Sequence, residues 1–279
     1  MTHHPSPYAG KSIVFATMHG KEKLAAPAFA KQLNAAVIAP HHLDTDQFGT
    51  FAGDIPRTLT PLAAATVKAR LGIQISGLPY GLASEGSFTS NLIGIENTEI
   101  VVFLDTDRGI ELVEHASGSS PLPAAREVET VADALAYASS IGFPGQGLLV
   151  RAHHGPTVEI YKSIDTASEL ARIVSHCLKK ESTLTVLPDH RAHRSPTRGE
   201  RIRVLCNRMA HRLATPCPSC HAPGYGTVNV ERGLPCALCG EPTTGIAADI
   251  HGCRVCDFQA RHVRGDSRAD PATCMLCNP

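Results

Sequence analysis

The sequence predicts an α/β protein: a three-layer domain with a mixed sheet over residues 1–214, followed by a C-terminal double zinc-ribbon appendage over 215–279. Three observations carry this expectation. Short β-type runs alternate with helical runs from Ser12 onward, the β-α-β order of a parallel sheet covered by helices. Three strand-like runs then follow one another across short polar links, which adds antiparallel strands to that parallel start. Eight of the ten cysteines fall in the last 65 residues as four C-x2-C pairs.

Taken in order, SIVFA from Ser12 reads as a strand, KEKLAAPAFAKQL as a helix and AAVIA as a second strand. TPLAAATVKARL predicts a helix with Thr60 as N-cap and Pro61 at its first position, where a missing N–H costs nothing. YGLASE, TEIVVFLD and GIELVEHA are the three strand-like runs, and DTDRG joins the last two as a hairpin turn. A helix is expected from about Ala125 to Ile141, then strands GLLVR and TVEIYK, then a helix opened by Thr166 with Glu169 completing a capping box. The strand STLTVL leads into PDHRAHRSPTRGE, where Ser195 and Pro196 open a last helix to about Leu213.

With 43% hydrophobic residues and 26 basic against 26 acidic side chains in 279 residues, the chain is too apolar to be disordered and has no overall polyionic character. Neutrality is a cancellation of unlike regions. Residues 1–150 hold 9 basic and 14 acidic groups, whereas residues 189–214 hold 7 arginines against Asp189 and Glu200. No apolar run approaches the roughly 18 residues of a membrane-spanning helix, and the start lacks the basic-then-apolar layout of a signal peptide. A cytoplasmic location without a membrane partner is the expectation.

The pairs Cys217/Cys220, Cys236/Cys239, Cys253/Cys256 and Cys274/Cys277 each offer two thiolates from a tight knuckle, and two knuckles complete a tetrahedral four-cysteine zinc site. Two structural zinc ions are expected. Four thiolates leave no open position for water or substrate, so the metal would stabilise a tail too poor in large apolar side chains to fold by burial. The gaps between pairs are 15, 13 and 17 residues, and the usual ribbon range of about 15 to 20 favours sequential pairing. Binding two zinc ions through eight thiolates makes the tail acidic, which cuts against nucleic-acid binding there.

Ligands of open α/β sheets gather at the carboxyl ends of strands, and polar clusters follow several of the expected strands. Thr17, His19 and Lys21 lie after the first strand, at the opening of a helix whose amides and dipole favour an anion. Asp44 and Asp46 lie in a long loop after the second, a carboxylate pair suited to Mg2+. Glu85 ends a strand within ASEGSF, where Gly86 would let a ligand approach the backbone. Asp189, Arg191, His193 and Arg198 form the densest cluster, since arginine forks before a helix start bind phosphate or carboxylate bidentately. No Walker loop, G-x-G-x-x-G or G-x-S-x-G occurs.

The phrases IVFATMHGKE, LDTDQFGTFAGDIPR, GLASEGSF, DHRAHRSPTR, CPSCHAPGYG and LPCALCGEPT resemble an uncharacterised bacterial family, a domain of unknown function, over nearly the whole chain. The order strand, AT-x-H, helix, strand, GTF loop and KAR helix, then a strand acid, is similar to the inosine/xanthosine triphosphate pyrophosphatases. Those enzymes cleave noncanonical nucleoside triphosphates with Mg2+. The resemblance places their Thr on Thr17, their Lys on Lys68 and their strand acid on Glu85, but their Asn on His19, their phosphate lysine on Glu22 and a metal-binding Glu on Ala63.

These readings converge on a metal-dependent hydrolase of a phosphorylated, nucleotide-like small molecule. Asp44, Asp46 and Glu85 would hold Mg2+; Lys21, Arg191 and Arg198 would clamp phosphate oxygens with Thr17, His19, Lys68 and Asp189 nearby; and His193 would move a proton. The alternatives are an RNA- or DNA-binding zinc-ribbon protein using the Arg-rich segment, and an interaction module without chemistry.

Overall fold

The computed structural model describes residues 6–50, 55–92, 94–180, 182–265 and 267–279. In chain order it runs β1 (Ser12–Phe15), α1 (Glu22–Leu33), β2 (Ala36–Ile38), α2 (Pro61–Ser76), β3 (Tyr80–Asn91), β4 (Gly94–Asp105) and β5 (Ile110–Ser119). Then come β6 (Arg126–Val128), α3 (Val131–Ser140), β7 (Leu148–His154), β8 (Thr157–Tyr161), α4 (Ala167–Leu178), β9 (Thr183–Pro188) and α5 (Pro196–Ala214). The tail adds β10 (Gly226–Arg232), β11 (Ile246–Gly252) and β12 (Gln259–Val263).

The first sheet has the order β2-β1-β3-β4-β5, with β1 parallel to both neighbours and β4 antiparallel to both β3 and β5. This is the mixed sheet expected from sequence. Apolar side chains of β1, β3, β4 and β5 pack on α1 and α5, with Phe29, Leu33, Leu205 and Met209 fully buried between them. The small residues Ala65 and Ala69 of α2 cover Ala83, Val102 and Leu104 on the opposite face, which completes three layers. Thr60 caps α2 by accepting the Ala63 amide, and Gly77 ends it at φ +68°, a left-handed position that glycine occupies without steric cost.

The later strands do not extend this sheet. They form a second, fully antiparallel one, β6-β9-β7-β8, with α3 and α4 sharing its buried face. Pro121 and Pro123, which follow β5, lack the N–H groups needed to continue its ladder. The helix expected from Ala125 starts only at Val131, because Thr130 and Asp133 close a capping box there and residues 126–128 pair with β9 instead. In α4, Thr166 accepts the Glu169 amide as expected, but the Glu169 carboxylate takes the Asp165 amide, one residue earlier than a reciprocal box.

Residues 189–195 carry the chain from β9, in the second sheet, into α5, which covers the first. Backbone bonds from Asp189 to Gly147 and from Gly147 to Arg194 pin this seam at 2.8 and 2.7 Å. The tail sheet β10-β11-β12 is antiparallel and joins the rest through Arg212, which pairs with Glu114 at 3.0 Å and donates to the Gly224 carbonyl at 3.2 Å. Among the described residues no helix is long and apolar enough to cross a membrane.

Candidate functional site

The eight knuckle cysteines form two tetrads, Cys217/Cys220/Cys253/Cys256 and Cys236/Cys239/Cys274/Cys277. This corrects the sequential pairing expected from the gaps. In an antiparallel three-stranded sheet, successive knuckles alternate between its two ends, so the first meets the third and the second meets the fourth. Sulfur separations of 3.8 Å (Cys217 to Cys256), 3.6 Å (Cys220 to Cys253), 3.8 Å (Cys236 to Cys277) and 3.7 Å (Cys239 to Cys274) match the edge of about 3.8 Å of a tetrahedron with 2.3 Å metal–sulfur bonds. They are far too long for disulfides, and all ten cysteines are free thiols. The tetrads therefore suit two zinc ions.

A separate cavity lies between the carboxyl end of β1, the middle of β3 and the 189–198 seam. It encloses about 40 Å³, room for roughly three waters or one tetrahedral oxyanion on a scale where a water needs about 10–15 Å³. Among the described residues five basic side chains, Lys21, Lys68, Lys162, Arg191 and Arg198, line it, with Glu85 as the one acidic residue. Glu85 is buried, and each of its oxygens meets a cation: Lys68 from α2 on one, Arg57 at 3.0 Å on the other. Burial alone would raise the Glu85 pKa, but Lys21 and Lys68 hold it below the usual carboxylate range, so it stays ionised.

Arg198 of α5 reaches the fully buried Glu99 of β4 through two bonds, at 2.5 and 2.9 Å, and donates to the His190 carbonyl. A Cβ at Gly86 would collide with this pair. The glycine expected to admit a ligand instead admits Arg198, whose charge is already compensated. Arg191 has its guanidinium on Asp189, with contacts at 3.1, 3.0 and 2.7 Å, while its Nη2 also reaches Ser163 at 3.4 Å.

The expected site residues thus divide. His19, Lys21, Lys68, Glu85, Arg191 and Arg198 line the cavity. Thr17 is buried behind it and fixes the turn by accepting the His19 amide at 3.0 Å. Asp189 is wholly buried and faces Arg191, where it positions the guanidinium and offers no surface to a ligand. His193 stacks on His19 with ring centroids 4.8 Å apart. Partial burial and the neighbouring His19 and Arg191 lower its pKa to about 4, so it is neutral at pH 7 and too weak a base for the proton-transfer role expected of it.

The Mg2+ shell expected from Asp44, Asp46 and Glu85 is not assembled among the described residues: Asp44 is exposed, the Asp46 side chain lies outside them, and both Glu85 oxygens are held by cations. Sequence reasoning missed Lys162, Arg57 and Glu99. Only Glu99 carried a signal, as an acid directly opposite Gly86 in the β3–β4 hairpin.

A larger cleft of about 820 Å³ lies where the tail meets α5 and β5. Its arginines are largely neutralised, Arg212 by Glu114 and Arg264 by Asp249. It carries no comparable concentration of charge. Residues 68–279 match the family model described as a domain of unknown function (DUF6671), and no curated protein matches the chain.

Proposed function

The chain belongs to that family, whose description names no activity, and from its cavity we propose that it binds a phosphorylated, nucleotide-like small molecule. The observation that carries this is that, among the described residues, five basic side chains surround one ionised carboxylate in a space of oxyanion size. Cations confined in a desolvated cavity favour an anion that replaces lost hydration, and phosphate offers acceptors to several of them at once. The stacked rings of His19 and His193 at the rim give a flat surface for the rest of the ligand.

Hydrolysis of a phosphoanhydride or phosphoester bond is the reaction we attach to this ligand. Mg2+ would arrive on the phosphate oxygens, because the Glu85 oxygens are engaged by Lys68 and Arg57. In the same reading residues 1–214 form the ligand-binding domain, and 215–279 form a metal-dependent appendage kept reduced in the cytoplasm.

Nucleic acid along α5 and the tail has less support. Arg203 pairs with Glu200, Arg212 with Glu114, Arg261 with Glu231 and Arg264 with Asp249, while Arg201 bonds Asn97. Titration calorimetry with inorganic phosphate, pyrophosphate and a nucleotide panel, with and without Mg2+, tests the proposal. Binding weakened at least tenfold by Arg191→Ala supports it, and phosphate release from one nucleotide with Mg2+ supports the hydrolytic half. Indifference of the wild type to every anion rejects the ligand class.

A further inference from the structure

Two lysines that line the cavity have different surroundings. Lys68 is ion-paired to Glu85, whereas Lys21, partly buried at the start of α1, donates one hydrogen bond to the Ser84 carbonyl at 3.1 Å. Among the described residues no carboxylate lies within ion-pair distance of the Lys21 ammonium. It is thus desolvated without direct charge compensation and sits among other cations, the setting that turns a lysine into an amine nucleophile.

We propose that Lys21 forms a Schiff base with a short phosphorylated aldehyde or ketone whose phosphate occupies the same cavity. The inference rests on the phosphate reading of the cavity and does not depend on hydrolysis. Arg191 and Lys162 line the same small space as Lys21, so a phosphate that fills it against those two side chains leaves the adjoining carbonyl carbon at its opening, where Nζ can attack it. Burial, with Arg198 and Lys68 nearby, lowers the Lys21 pKa to about 8 against the opposing pull of Glu85. Roughly a tenth of the molecules then carry it neutral at pH 7, against only about a few in ten thousand for an ordinary lysine. In the step itself the Nζ lone pair attacks the carbonyl carbon and a C–N bond forms. The carbonyl oxygen leaves as water with the two amine hydrogens, which gives the imine with no oxidant or reductant required.

Glycolaldehyde phosphate, trapped with cyanoborohydride on the full zinc-loaded chain and mapped by peptide mass, tests this directly. The expected result is one adduct on Lys21, formed at least tenfold faster than with unphosphorylated glycolaldehyde and suppressed by inorganic phosphate. Its rate should rise with pH through a midpoint near 8, and the adduct should be absent in Lys21→Arg, which keeps the cation without the reactive amine. The wild-type pH profile decides the question even if that variant folds poorly. Labelling scattered over surface lysines, with no phosphate protection, overturns the inference. If the wild type binds phosphate by calorimetry while Lys21 stays unlabelled, only the Schiff-base step falls. If no anion binds at all, the phosphate reading falls with it.

Discussion

Arg198 and Glu99, which lie 99 positions apart in the chain, meet in a buried two-point ion pair at 2.5 and 2.9 Å. The pair ties α5, which emerges from the second sheet, to the middle of β4 in the first. A guanidinium provides two parallel donors in one plane, which an ammonium cannot. Removing one partner leaves a buried charge unmatched, and Arg198→Ala should cost about 3–5 kcal/mol in urea unfolding. Arg198→Lys should recover less than half of that loss, and full recovery would show that geometry is unimportant here.

The interleaved tetrads make a stoichiometric prediction. Wild-type protein should hold two zinc ions by elemental analysis, and Cys217→Ser combined with Cys253→Ser should lose one. Cys217→Ser combined with Cys236→Ser should lose both, since it damages each site. The opposite result would restore sequential pairing. Chelation should melt the tail, because metal binding supplies on the order of 10 kcal/mol at a structural zinc site.

Glu85→Gln separates a charge-balancing role from a metal-binding one. Neutralising the carboxylate leaves Lys68 and Arg57 without their counter-charge, which destabilises the folded protein. It also makes the cavity more positive, and phosphate should bind about tenfold more tightly. Loss of Mg2+-dependent phosphate binding would instead mark Glu85 as a metal ligand.

Acid should weaken the fold through His190. Its ring stacks on Phe88 at 3.9 Å, and burial, aided by Arg198, lowers its pKa to about 4. Between the ordinary value near 6.5 and pH 4 the unfolded chain takes up this proton and the folded chain does not, so stability falls as pH falls through that window. His190→Phe should flatten the melting temperature across the same range. An unchanged slope would assign the acid sensitivity elsewhere.

Phosphate affinity should decline as pH rises through about 8, where Lys21 loses its proton. Calorimetry from pH 6.5 to 9 measures this, with phosphate predominantly dianionic over the upper half of the range. A flat profile would remove Lys21 from the anion site.

Much of this was legible in the sequence because local rules set it. Thr60 with Pro61 fixed the start of α2, strand-like runs marked β3 to β5, and C-x2-C spacing marked every cysteine of the two tetrads. Of the expected ligand-site residues, Lys21 after β1 and Arg191 after β9 line one cavity, whereas Asp44 after β2 is exposed and Glu85 lies within β3 and not at its end as expected.

What the sequence by itself determined about this protein is its inventory: the elements, the cysteine pairs suited to metal and the basic segment beside an acidic strand. Which groups pair was decided only by the tertiary structure. Knuckle pairing follows from which end of an antiparallel sheet each loop reaches, and spacing along the chain carries no record of that. The fate of each charge depends on neighbours brought together by two sheets meeting at a seam. Arg198 is held by Glu99, Arg191 is oriented by Asp189, and Lys21 donates to the Ser84 carbonyl with no carboxylate partner among the described residues. Electrostatic energy in a desolvated cavity depends on distances of a few ångströms, and those exist only after the chain has folded.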